Sequence, residues 1–147
     1  MLAWIQGLIL LALVPLAGIH PSLGGLLGTG VAIFLVSVTF TLLGFLIAWQ
    51  MESSQGFHAV MNLALFPLWM ISGAIFPAAN AHGWMRMAMA VNPLTYSLAL
   101  LRRLLDPASA AGSPGLGLSL LVTVLCALAL LVASTAVANR KSAGSKA

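Results

Sequence analysis

Phe66-Pro67-Leu68-Trp69-Met70-Ile71-Ser72-Gly73-Ala74-Ile75-Phe76-Pro77 decides how this chain is read. It opens as an apolar segment fit for a bilayer, and then Pro67, Gly73 and Pro77 interrupt it. A plain membrane anchor has no use for such breaks, since each one frees backbone groups from the helix. At membrane depth, irregular backbone is tolerated only where protein or a water-filled cavity satisfies those groups. The stretch therefore predicts a broken helix lying against others near one membrane surface, at the mouth of a pathway.

Composition agrees with a membrane setting. The 147 residues are 61% hydrophobic and 5% charged, against roughly half and a quarter in soluble domains. Mean hydropathy is +1.09. The net charge of +4 rests on six basic and two acidic residues, so the high pI reports scarce acids rather than a nucleic-acid partner. Cys126 stands alone in an apolar run and reads as a small buried hydrophobe.

Outward from the deciding stretch, the chain divides into about four apolar spans, near 1–19, 26–49, 59–77 and 116–138. The first carries Pro15 as a kink and lacks the basic start of a signal peptide. Its abrupt apolar opening predicts the later part of a longer protein. His20-Pro21-Ser22 and Gly24-Gly25 read as a turn. In the second span Ser37, Thr41, Gly44 and Ala48 form a small-residue stripe, which predicts a helix–helix contact, with a pathway-lining face as the alternative. Residues 50–58 form a polar loop in which Ser53 or Ser54 caps the next helix. Asn62, early in the third span, needs a hydrogen-bond partner.

Residues 80–105 are too polar and too broken to span. They predict a short amphipathic or re-entrant hairpin of two helices. Asn92 caps the second, with Pro93 at its first position. Leu94, Leu98, Leu101 and Leu105 share one face of it, with Tyr96 and Arg103 away from that face. Arg102-Arg103 suit interfacial anchoring, and secondarily lipid headgroups or an acidic substrate. The expected fold is thus an all-α membrane protein, about four transmembrane helices with the hairpin between the third and fourth. Charge alone does not orient it: Arg140, Lys141 and Lys146 balance Arg86, Arg102 and Arg103 across the bilayer.

Catalytic signatures are missing from the sequence. Gly24-Gly25-Leu26-Leu27-Gly28-Thr29-Gly30 lacks the lysine of a phosphate loop. There is no Gly-x-Ser-x-Gly elbow, and His20, His58 and His82 are too scattered for a metal. The predicted spans carry no charge, which argues against a membrane-embedded enzyme.

Pro67-Leu68, Ser72-Gly73 and Phe76-Pro77, then Trp84, then Asn92-Pro93-Leu94-Thr95-Tyr96 and Arg102, resemble in order and spacing the membrane subunit of type-2 ABC exporters, the ABC-2 type transporter permease family. The resemblance implies the C-terminal two-thirds of a six-span permease in a bacterial cytoplasmic (inner) membrane. It implies that a separate ABC ATPase subunit binds the ATP, and that this chain itself holds no cofactor or metal. It implies a second permease copy or a homologue as partner within the lipid bilayer, and an amphiphilic drug, lipid or (lipo)saccharide as cargo. It places a gating role on Pro67, Ser72, Gly73, Phe76, Pro77, Trp84, Asn92, Pro93, Tyr96 and Arg102. The alternative function is a truncated, non-transporting assembly or structural subunit.

Overall fold

In the computed structural model the described residues are 2–51, 53–75 and 81–144, side chains excepted at 109 and 140–144. Every regular element among them is helical, and three helices are long and apolar enough to cross a membrane. The chain is an all-α membrane protein.

The expected first span is the one that differs most. Helix α1 covers only Leu2–Ala12, and a 3-10 turn, Val14–Ala17, follows it. Pro15 has no N–H to continue the α-helical ladder, and Gly18 then turns left-handed at φ 78°. A straight crossing over 1–19 is thereby broken.

Helix α2 runs Leu23–Trp49, three residues earlier than the sequence predicts. The Ser22 hydroxyl accepts from the Gly25 N–H at 3.1 Å and starts the helix there, so Gly24 and Gly25 are helical rather than a turn. Ser53 does the same for α3, Ser54–Val60, accepting from Gly56 N–H at 3.1 Å. That helix continues through a π-helical turn (Met61–Leu65), α4 (Phe66–Trp69) and a second π-helical turn (Met70–Ala74). Together Ser54–Ala74 make the next span. Asn62 lies exposed on it. Two short helices follow, α5 (Gly83–Val91) and α6 (Pro93–Leu105), joined at Asn92. A 3-10 turn at Pro107–Ala110 leads to α7, Leu116–Gly144, whose apolar span ends at Asn139.

The centre of the molecule is α6, packed on α7, α2 and the turn Met70–Ala74. Its contacts fix its direction. Arg103 reaches the backbone just before α7, while Ser97 meets Thr123 farther along that helix, their hydroxyls 3.4 Å apart. At the same end as Arg103, Leu104 meets Gly25 and Gly28 at the start of α2. So α6 runs antiparallel to both spans, and the Asn92 turn points inward. Thr123 lies about 10 Å below the start of α7 at 1.5 Å per residue, and Asn92 lies deeper still. The hairpin is re-entrant.

The most buried side of α6 is not its leucine face. Thr95, Ser97, Ala99 and Leu100 are buried, whereas Leu94, Leu98, Leu101 and Leu105 are half-exposed. Lipid solvates leucine as well as protein does, so helices in a bilayer meet through small and hydroxylated residues that let backbones approach. Buried Thr29, Thr39 and Thr123 give their protons to the carbonyls of Gly25, Leu35 and Ser119 at 2.7–2.8 Å, so their hydroxyls need no acceptor elsewhere, and the Thr123 oxygen is left to accept from Ser97. For the same reason the contact face of α2 is Gly25, Gly28, Thr29, Ala32 and Thr39. The predicted stripe is not that face: Thr41 and Ala48 are exposed, and a Cβ on Gly44 would meet nothing within 4 Å.

Adjacent glycines on α2 separate packing from propensity. A Cβ on Gly25 would lie 2.5 Å from the backbone carbonyl oxygen of Leu104, while one on Gly24 would meet nothing. Gly25→Ala is expected to destabilise the fold by about 1–3 kcal/mol. Gly24→Ala is expected to leave it unchanged or up to about 1 kcal/mol more stable. Reversible unfolding in mixed detergent, followed by tryptophan fluorescence, checks both.

Candidate functional site at the broken third span

Pro67 carries no N–H, and its ring crowds the carbonyl of Leu63 one turn earlier. The chain answers by widening to a π-helical turn over Met61–Leu65. A second widened turn, Met70–Ala74, contains Gly73, whose φ of 94° and ψ of 4° no L-residue adopts easily. The span is therefore loosened twice, before Pro67 and around Gly73.

Side chains of the hairpin bond two carbonyls in and beside these turns. Asn92 Nδ2 donates to the Leu68 carbonyl at 2.7 Å, while its Oδ1 accepts from the Leu94 N–H at 3.0 Å and caps α6. Arg102 Nη2 donates to the Gly73 carbonyl at 3.0 Å. Ser72, buried beside it, closes the turn locally by donating to Trp69 O at 2.6 Å. The Tyr96 hydroxyl donates to Ala90 O at 2.7 Å and ties α6 back to α5 across the Asn92 break. Pro93 stands at the first position of α6, where its missing N–H costs nothing. One polar latch thus joins the broken span to the re-entrant hairpin at two carbonyls. Beside it lies an apolar notch of about 270 Å³ between Pro67, Leu68 and Ile71 on one side and Ala88, Val91 and Pro93 on the other.

Of the residues singled out by sequence, Pro67, Ser72, Gly73, Asn92, Pro93, Tyr96 and Arg102 meet in or around this latch. Trp84, 72% exposed near the start of α5, stands apart from it. Phe76 and Pro77 lie outside the described residues, as does Asn80. Arg102 and Arg103, which suit interfacial anchoring by sequence and headgroups or an acidic substrate secondarily, both bond backbone carbonyls. Arg103 donates through Nε to Pro114 O at 2.6 Å and through Nη2 to Ser113 O at 2.7 Å, which fixes the loop before α7. Sequence reading gave no role to Thr95 and Ser97, the buried hydroxyls of α6. Their signal was available as two hydroxyl residues among leucines, on the face that small side chains favour in a bilayer.

The model of the ABC-2 type transporter family matches residues 1–105, which contain the whole latch. No curated protein and no solved structure matches the chain.

Cutting the latch should be measurable without any transport assay. Arg102→Ala removes a charged donor from a freed carbonyl and is expected to cost about 1–3 kcal/mol of stability. Asn92→Ala loses both a helix cap and a donor and should cost about as much. The double substitution should cost less than the sum, because the two donors hold the same pair of elements. Unfolding free energies of the four proteins in mixed detergent check the coupling.

Proposed function

This chain belongs to the ABC-2 type transporter family, and on that premise we propose that it is the permease of an ATP-driven exporter. As a membrane component of that family it works with a separate ABC ATPase subunit and is not itself the catalytic part. The finer reading is that ATP stays on that partner and that a second copy or a homologue completes the path. The cargo is an amphiphile, a drug, lipid or (lipo)saccharide, and the setting is a bacterial cytoplasmic membrane.

The observation that carries this reading is the latch. A span loosened at Pro67 and Gly73 is held to a re-entrant hairpin by two side-chain bonds to carbonyls. Such an element has two ways to satisfy its backbone: the bent form seen here, and a straighter helix that bonds within itself. In the proposed cycle, closure of the ATPase pair tilts the spans, the latch releases, and the hairpin uncovers a route between subunits. Pro67, Gly73 and the Asn92-Pro93 turn are the points that deform.

The test is ATP-dependent uptake of a lipophilic dye into inverted vesicles carrying the chain with a cognate ABC ATPase. Gly73→Ala penalises the left-handed conformation by about 1–2 kcal/mol, and the site has room for the methyl, whose nearest neighbour would be Met89 Cε at 3.9 Å. That shift biases the element toward the straighter form by roughly tenfold. Uptake is expected to fall by about that factor, with membrane insertion unchanged. Pro67→Ala should act in the same direction. Equal loss of insertion and uptake counts against a gating role.

A further inference from the structure

The hairpin and the loop before α7 carry three arginines, and the structure spends two of them. Arg102 serves Gly73, and Arg103 serves Ser113 and Pro114. Arg86 is exposed on α5 and makes no hydrogen bond or ion pair among the described residues. It borders a cleft of about 650 Å³ between α5, the start of α6 and the loop that leads into α7. This volume lies within the range of small-molecule sites, roughly 300–1,000 Å³.

The lining is sorted by polarity. Arg86 and Ser113 are polar, and the Ser113 hydroxyl makes no hydrogen bond among the described residues. Met89 and Leu118 are apolar. Thr95 also lines the cleft. It is 5% exposed, and its Oγ1 is a buried hydroxyl with no partner, a costly state for a group that any suitable ligand or water would satisfy. No carboxylate lines the cleft. The wall at Ser113 and Pro114 is held rigid by Arg103. A fixed cavity with an unspent guanidinium, two unspent hydroxyl donors and an apolar flank fits a negatively charged head on a hydrocarbon tail.

We propose that this cleft binds one anionic membrane amphiphile, its headgroup on Arg86 and Ser113 and its chain along Met89 and Leu118. The site is argued from the cleft alone and does not require that the chain transports anything. Loss of dye uptake with lipid binding intact would count against the export reading and leave this one standing.

The experiment places the full chain in nanodiscs of equal parts phosphatidylglycerol and phosphatidylcholine, releases it into mild detergent, and counts retained lipids by native mass spectrometry. Phosphatidylglycerol should be retained about tenfold over phosphatidylcholine, as one charge-assisted contact implies. Arg86→Gln should abolish that preference, and Arg86→Lys should keep most of it, since Lys preserves the charge. Equal retention of the two lipids by the unaltered chain overturns the proposal, whatever the variants do. So does an undiminished preference in Arg86→Gln. Millimolar glycerol 3-phosphate distinguishes a free anion from a lipid: failure to displace the bound lipid supports the proposal, and full displacement marks a soluble-anion site and overturns it.

Discussion

A carbonyl released from its helix must find a donor inside the protein when the surroundings are hydrocarbon. This constraint governs the chain. Pro67 and the left-handed Gly73 take the third span out of regular α geometry, and Asn92 and Arg102 come from the neighbouring hairpin to answer Leu68 and Gly73. Both donors reach into the bundle from a hairpin that its contacts with α2 and α7 already direct inward. Asn92 serves two elements at once, with its amide on the span and its carbonyl oxygen on the first turn of its own helix.

What holds α6 in place is the second consequence of the same solvent. Burying leucine gains little when the alternative is lipid, so close backbone approach decides the contacts. Gly25 and Gly28 admit Leu104. Leucines such as Leu2, Leu16, Leu23, Leu27 and Leu63 face outward. Buried Thr29, Thr39, Ser72 and Thr123 bond carbonyls three or four residues back, whereas the buried hydroxyls of Thr95 and Ser134 have no partner among the described residues.

Much of this was legible in the sequence. The two short helices, the cap at Asn92 and the breaks at Pro67 and Gly73 follow from single residues whose backbone preferences are strong. Contact faces were not legible: the small-residue rule alone chose the wrong stripe on α2, and the shared leucine face of α6 did not mark its most buried side. Boundaries slipped where a serine cap outweighed nearby glycines, as at Ser22. The two arginines of α6 could not be apportioned from sequence, because their acceptors are backbone oxygens, Gly73 on one side and Ser113 and Pro114 on the other. No pattern of residue types announces a backbone acceptor.

The third span touches the rest of the described chain mainly through its last turns, around Pro67–Ala74. Its opposite end, at Ser54, is about 30 Å away at helical rise, and its first half packs substantially on no other described element. Mechanically this is a cantilever with its fulcrum at the latch. A swing of about 10° about that fulcrum carries the far end through about 5 Å. Conversely, a push of a few ångströms at the Ser54 end arrives at Gly73 as a small torque on the two bonds that keep the hairpin down.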